Sequence, residues 1–402
     1  MKIVGLITEY NPFHNGHQFH IEKAKEVTGA DYVIVVMSGN FVQRGMPAIM
    51  PKHMRAEAAL KNGASLVIEL PVCYATGTAE QFAYGAVSIL HKLGCVDSIC
   101  FGSECGDIKP LQTLADIFVN EPSDYKTILQ DGLRNGLSFP AARQNALSAL
   151  YPDQAFANVL DSPNNILAIE YLKAIKRLHT SIQPYTIKRE MSNYHDAKLT
   201  GMYSSATAIR DVLLEGNLSA LVQQIPCNTV SILQSAYKKR YPITANDFSF
   251  LLKYRLLQET NSSLVTYADI SEELTNRICK TSNYFISFEQ YCGYLKTKEI
   301  TYSRISRALL HILLHIKKTD YAEIEYARVL GFRKKDESLL SILKQHSSIL
   351  LLTKLGANQS LSDSAKSMLN TDIFASNLYE SVITEKYQTS FINEHEHPIV
   401  RI

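Results

Sequence analysis

The chain opens with an apolar run, Ile3-Val4-Gly5-Leu6-Ile7-Thr8, that breaks at Glu9-Tyr10-Asn11 and resumes as an amphipathic stretch from His17 to Val27. A buried strand that gives way so quickly to a helix must turn the chain at its carboxyl end, the first step of a strand–helix–strand unit. The pattern repeats. Tyr32–Met37, Leu66–Leu70, Ser98–Phe101 and a later segment near Pro184–Ile187 read as strands, with helices at His53–Asn62 and Glu80–Leu93. Runs nearly continuous in Val, Ile and Leu suit a parallel sheet covered on both faces. Right-handed crossovers then predict an α/β fold with a doubly wound parallel sheet and a ligand site outside the carboxyl ends of the strands. The loops Glu9-Tyr10-Asn11, Ser38–Gly45 and Gly102-Ser103-Glu104 should converge on that edge.

Beyond Gly216 the pattern changes. Phe248–Gln258, Leu274–Thr281, Tyr302–Ile316 and Leu339–Leu352 carry helical spacing without intervening strands, which predicts a mostly helical C-terminal domain. The expected division is 1–215 for the α/β domain and 216–402 for the helical one, and 402 residues are enough for two. With 46% hydrophobic and 20% charged residues the composition is that of an ordinary globular protein. No apolar run approaches the roughly 20 residues needed to cross a bilayer, and no secretory pattern precedes the first strand. A cytoplasmic protein is expected, and seven cysteines, an odd number, fit unpaired thiols. Cys73, Cys100, Cys279 and Cys292 lie in apolar segments. The even spacing of Cys95, Cys100 and Cys105 lacks the C-x-x-C pair or nearby histidines that a metal site needs.

The corner after the first strand reads Asn11-Pro12-Phe13-His14-Asn15-Gly16-His17. Histidines three apart at a helix start share a face. The free N–H groups and positive dipole end of the helix favour an anion there, and glycine lets a phosphate approach the backbone. A second segment, Ser204-Ser205-Ala206-Thr207-Ala208-Ile209-Arg210, opens another helix with hydroxyls that can cap it or donate to phosphate, and with an arginine that can reach the same anion. Together the two resemble the H-x-G-H and S-T-x-x-R signatures of the nucleotidylyltransferase superfamily. Alanine stands between the hydroxyl residues here, so the separate roles of Ser205 and Thr207 stay open.

The stretches GLITEYNPFHNGH, VVMSGNFVQRG, ASLVIELP, FGSE, SPNNILAIEYLKA, IKRE…NYHD and SSATAIR resemble one family in particular, the bacterial tRNA(Met) cytidine acetate ligases (TmcAL). TYSRISRALLHIL and YARVLGFRKK extend the resemblance into the second half. It implies a Rossmann-like, HUP-type nucleotidylyltransferase domain followed by a tRNA-binding one. ATP is then a co-substrate, with Mg2+ beside its triphosphate, and acetate is activated to acetyl-adenylate. The acetyl group passes to the wobble cytidine of elongator tRNA(Met), giving N4-acetylcytidine; neither membrane nor DNA is a partner. The residues carried over as ATP contacts are Ile7, Thr8, Glu9, Tyr10, Asn11, Pro12, Phe13, His14, Asn15, Gly16, His17, Gln18, Phe19 and His20, then Gly102, one of Asn164 and Asn165, Arg189, Ser205 and Thr207. His14, His17 and Arg210 are the catalytic candidates, because adenylation gathers negative charge on phosphate oxygens and placed donors stabilise it. No carboxylate cage for a metal is apparent.

Other segments carry weaker signals. Ser38–Gly45, with Asn40, Gln43 and Arg44, covers an acetate pocket, meets the tRNA or is a structural loop. Lys52 and Arg55 read as solvated charge on the following helix, and His195 in Tyr194-His195-Asp196 as architectural. Between Arg304 and Lys335 stand eight basic residues, Arg304, Arg307, Lys317, Lys318, Arg328, Arg333, Lys334 and Lys335, against Asp320, Glu323 and Glu325. This run is expected to bind RNA phosphates, with Tyr302, Tyr321 and Tyr326 available to stack on bases. The alternatives are a small-molecule adenylyltransferase or acyl-adenylate ligase of the same superfamily, and a nucleotide-sensing RNA-binding module without catalysis.

Overall fold

The computed structural model describes residues 1–152, 156–189 and 204–402, so Tyr194-His195-Asp196 lies outside the described residues. Among them is an eight-stranded sheet with Ile3–Thr8 at its centre. Tyr32–Ser38 and Leu66–Leu70 lie on one side of it, and Ser98–Ser103 and Gln183–Lys188 on the other, all parallel. The chain steps outward from its first strand, returns across it, and continues the other way. The crevice between Ile3–Thr8 and Ser98–Ser103 is therefore the topological switch point of a doubly wound sheet.

Alternation along the strands divides the core. Val4, Leu6, Val33 and Val35 face one side, where they pack on Ile21 and Ala24 of the helix Asn15–Thr28 and on Ala56, Ala59 and Leu60 of the helix Lys52–Lys61. Ile3, Ile34, Val36 and Ile68 face the other, under Phe82, Val87 and Leu90 of the helix Ala79–Lys92. That helix approaches closely: a Cβ at Gly5 would stand 2.7 Å from Leu90 Cδ1. The helices Ile108–Asn120, Ser123–Arg134, Phe139–Leu150 and Pro163–Arg177 extend this second layer. No helix among the described residues is long and apolar enough to cross a membrane. All seven cysteines are free, and Cys279, expected in an apolar setting, is exposed.

The second half is not strand-free as the spacing suggested. Tyr326–Phe332, buried at all seven positions, runs antiparallel to Leu66–Leu70, and Leu350–Leu352 and Val400–Arg401 pair in parallel with its other edge. Its apolar pattern is broken by Arg328, and the sequence does not disclose what neutralises that charge inside the fold. Arg328 meets Glu394 at 2.5 Å and Glu69 at 3.5 Å. Lys52 lies 2.7 Å from both carboxylates and donates to Ser376 Oγ on the long helix Asp363–Tyr387. Burial alone would raise the Glu394 pKa, but Lys52, His53 and Arg328 hold it below the ordinary carboxylate range. Two cations and two carboxylates thus clamp residues far apart in sequence, and the core is continuous across residue 216.

Lys52 and Arg55 are accordingly not solvated charge; both are fully buried. Arg55 donates from Nε to the Met50 carbonyl at 3.0 Å and from Nη1 to the carbonyls of Glu9 and Ser38 at 2.6 and 3.1 Å. Its Nη2 donates to the Gly39 carbonyl. Removing one cation from the clamp leaves a buried carboxylate unpaired, which typically costs about 3–5 kcal/mol. Lys52→Met should lower the free energy of unfolding in urea by that amount, whereas a loss under about 1 kcal/mol would show that the cluster contributes little.

Candidate active site

A cavity of about 630 Å³ opens at the switch point. The first strand and its loop supply Ile7, Thr8, Glu9, Tyr10 and Asn11 to its wall, and the following helix supplies His14, Gly16, His17, Phe19 and His20. Gly102 and Arg189 come from the far side of the crevice, Asn164 from the start of Pro163–Arg177, and Ser204, Ser205, Thr207 and Arg210 from the helix Ala206–Glu215 and its cap. The two sequence motifs meet physically. Arg210 Nη1 donates to the Asn11 carbonyl at 2.9 Å, and its Nη2 to Thr207 Oγ1 at 3.0 Å. Ser205 Oγ caps its helix by accepting from the Ala208 N–H at 3.1 Å.

The histidines at the helix start are fixed by their own backbone. His14 Nδ1 accepts from the Gly16 N–H at 3.1 Å, and His17 Nδ1 accepts from the His14 N–H at 3.3 Å. Their rings stack with centroids 3.7 Å apart. A Cβ on Gly16 would come within 3.0 Å of His14 Cε1, so glycine is what lets that ring fold back over the corner. With Nδ1 accepting, each neutral ring carries its proton on Nε2 and is a donor there. Burial, then Arg189 and Arg210, brings the His14 pKa down to about 3. Burial lowers His17 as well, with His14, His20 and Arg189 adding to it. His20 has the opposite polarity. Burial and Arg189 pull its pKa to about 4, it hydrogen-bonds the Cys100 carbonyl, and its buried Nε2 has no partner among the described residues. The bond to a carbonyl must use Nδ1–H, so Nε2 is a bare acceptor in a site otherwise rich in donors.

The charge balance at the cavity is positive. Among the described residues Arg44, Arg189, Arg210 and Lys188 line it, against the carboxyl group of Glu9. Burial raises the Glu9 pKa, while the Gln43 N–H, 2.8 Å from its carboxylate, and then Arg44 and Arg210 oppose that rise. Burial lowers the pKa of both Arg189 and Arg210 from the usual guanidinium value. A dry, positively charged concavity at a helix N-terminus favours a polyphosphate.

Several of the expected residues face elsewhere. Pro12, Phe13, Asn15, Gln18 and Asn165 are absent from the cavity wall. Phe13 packs beneath Tyr10, with ring centroids 4.8 Å apart. Asn15 donates to the Gln223 carbonyl and Gln18 to Glu22. The two neighbouring asparagines are placed differently. Asn165 is buried and its Oδ1 accepts from the N–H groups of Glu104 and Cys105, while Asn164 lines the cavity and donates to Glu104.

Sequence reasoning missed Tyr171 and Ser303 on the wall and left Ser38–Gly45 open between two roles. In that loop Phe41–Val42 and Met46–Pro47 form a short hairpin, and Val42, Gln43 and Arg44 border the cavity. The basic run fares differently. Arg307 forms a two-bond pair with Asp269 at 2.8 and 2.9 Å, Arg333 meets Asp336 at 2.6 Å, and Arg328 belongs to the buried clamp. Tyr326 is buried and donates to Asp372 at 2.6 Å, so it cannot stack on a base.

Fold and site together define a nucleotidyltransferase of the H-x-G-H kind, and the family model HIGH Nucleotidyl Transferase matches residues 1–394. The chain is 43% identical over 408 aligned positions to the tRNA(Met) cytidine acetate ligase of Thermoanaerobacter sp. strain X514, covering 100% of both. To the Acetivibrio thermocellus enzyme of the same name it is 42% identical over 94% of each chain. Thermotoga maritima TmcAL crystallised with alpha-thio ATP superposes with a TM-score of 0.91 at 31% identity, and its apo form with 0.93 at 32%, over the full length of both chains. The chain belongs to the tRNA(Met) cytidine acetate ligase family.

The histidine environment predicts a pH response. Each ring is held well below the ordinary 6.5 in the fold and regains it on unfolding. The unfolded chain then binds more protons below about pH 6.5, so this stability is complete above that pH and is lost as pH falls towards the folded values. The thermal midpoint should fall steadily from pH 6.5 to 5, and more gently in His20→Gln. A flat wild-type profile over that window would contradict the neutral assignment.

Proposed function

We propose that this chain is an ATP-dependent ligase that activates acetate as acetyl-adenylate and acetylates the wobble cytidine of elongator tRNA(Met). The observation that carries the reading is the closure of Arg210 on the Asn11 carbonyl, which puts both phosphate-binding motifs on one positively charged cavity. The names of the relatives supply the tRNA and the ligase reaction, and the ATP analogue in the Thermotoga protein supports the nucleotide.

In this reading His14 and His17 donate from Nε2 to the triphosphate, and Arg210 and Arg189 pair with its oxygens. An acetate oxygen attacks the α-phosphorus, and the bond to pyrophosphate breaks. The cytidine N4 amine then attacks the acyl carbon, the bond to the adenylate oxygen breaks, AMP leaves, and the amine proton passes to solvent. Donors placed where charge grows on the phosphates are the main aid that the chain gives. Mg2+ would be brought by the triphosphate oxygens and would neutralise their charge. Asn164 and Gly102 face the nucleoside end. His20 stands about one helical turn beyond His17, roughly 4.5 Å along the axis, which matches the step from phosphate to ribose. Its bare Nε2 accepts from a ribose hydroxyl. Arg44 and Gln43, beside Glu9, border the acetate end.

Incubating the protein with ATP, labelled acetate and total bacterial tRNA should yield labelled N4-acetylcytidine, and pyrophosphate exchange should depend on acetate. Exchange driven instead by another acid or a nucleotide would make the chain a small-molecule adenylyltransferase. His17→Ala should reduce exchange by about 10²–10³ with the fold intact, as loss of one transition-state donor does. Arg210→Ala should damage exchange and leave tRNA affinity unchanged. His20→Ala should slow the reaction of ATP but not that of whichever deoxy-ATP, 2′ or 3′, lacks the hydroxyl bound. Equal losses on all three nucleotides would leave His20 a packing role.

A further inference from the structure

Of the eight cations expected to hold RNA in the run from Arg304 to Lys335, three, Arg307, Arg328 and Arg333, are committed to carboxylates within the chain. A neighbouring surface is arranged the other way. Between residues 272 and 299 stand Arg277, Lys280, Lys296 and Lys298 with Glu272, Glu273, Glu289 and Glu299, and Glu289 is held by Asn246. The three lysines are exposed, and none has an ion-pair partner among the described residues. Two aromatic side chains stand among them, Tyr284 at 58% and Tyr294 at 43% exposure, with ring centroids 5.5 Å apart and planes tilted by 30°.

This pair is built rather than incidental. The buried Tyr291 ring lies parallel to Tyr294 at 6.5 Å and 9°, and its hydroxyl is anchored on the Ile278 carbonyl at 3.2 Å. Arg277 donates to the Tyr294 carbonyl at 3.3 Å, which ties the guanidinium to the ring's own backbone. Fixed aromatic faces bordered by free cations suit unstacked bases with their phosphates alongside. The surface is also near the chemistry: Ser303 lines the cavity, and the five residues from Lys298 to Ser303 span at most about 18 Å.

We propose that Tyr284 and Tyr294, with Lys280, Lys296 and Lys298, form a docking platform for single-stranded RNA, the unpaired loop of the tRNA that carries the target cytidine. The inference rests on the function proposed above. The test uses the full chain with elongator tRNA(Met), after the wild type is shown to acetylate it; absence of that acetylation would count against the function and not merely against the platform. Tyr284→Ala with Tyr294→Ala should weaken tRNA binding by about 10- to 100-fold, as the loss of base stacking does. Tyr284→Phe with Tyr294→Phe should bind within about threefold of wild type, because the ring faces remain. Replacing the three lysines by alanine should make the salt dependence of affinity shallower by about 0.7 of a log unit per lysine per decade. Acetate-dependent pyrophosphate exchange and the melting temperature should be unchanged in all three. Normal tRNA affinity in the alanine pair, or equal loss in the phenylalanine pair, overturns the platform. So does a surface whose loss abolishes self-association in sedimentation while tRNA binding persists, which would make it a protein interface.

Discussion

A single buried guanidinium holds the catalytic edge of the sheet in shape. Arg55 is wholly enclosed, yet its donors end on the carbonyls of Glu9, Ser38, Gly39 and Met50. The first three are the points where the first two parallel strands stop being strands, and Met50 stands just before the helix that carries Arg55. Carbonyls there have lost their ladder partners, and leaving them unpaired in the core would cost about 1–3 kcal/mol each. One arginine satisfies four. In doing so it fixes the directions in which Glu9 and the Ser38–Gly45 loop leave the sheet, and with them two walls of the cavity. Burial lowers the Arg55 pKa to about 10, and Tyr379, Glu9 and Glu69 work against that fall, so the group stays charged at neutral pH. A lysine could not do this, because its compact head lacks a planar fork to span four acceptors.

The same economy governs the histidines. A free site lined by charged imidazoles beside three arginines would bury strong like-charge repulsion. Each of the three rings is instead neutral, with its tautomer set by the backbone: the Gly16 and His14 N–H groups for His14 and His17, and the Cys100 carbonyl for His20. Two donors and one acceptor result from identical side chains within a single helical turn and a half. A polyphosphate entering such a site finds donors already oriented, and its charge raises the pKa of the rings it touches. The positive field comes from guanidiniums, and the imidazoles add direction.

Much of this was legible in the sequence. The five parallel strands and the three helices between them follow from local signals: apolar runs, a cap, and spacing at 3.6. That His14, His17, Thr207 and Arg210 share one cavity wall could be anticipated because the signals that single them out are local to helix starts. What the sequence concealed is non-local. Lys52, Arg55 and Arg328 look like solvent-exposed charge until the acceptors they meet are known, and Glu69, Glu394 and four carbonyls come from segments up to 342 positions away. Arg328 also disguised a core strand, since a charge within YARVLGF argues against burial unless its partner is in view. Asn164 and Asn165 are neighbours of one residue type, and only the position of Glu104 separates the cavity-facing one from the structural one.

The internal pairing of the second half changes what that half is for. Asp269 takes Arg307, and Ser306 donates to the Gly45 carbonyl at 2.7 Å, at the tip of the hairpin that borders the cavity. A Cβ on Gly45 would fall 2.3 Å from the Arg307 nitrogen, so hairpin and helix meet backbone to backbone there. The helix Tyr302–Leu314 is therefore a strut, and Ser306 with the Arg307 backbone sets the position of the hairpin tip. Packing interfaces of this density shift between discrete arrangements rather than deform continuously. One helix thus reaches both the hairpin tip, through Ser306, and the cavity wall, through Ser303, so the place of Gln43 and Arg44 on that wall is set from the second half of the chain.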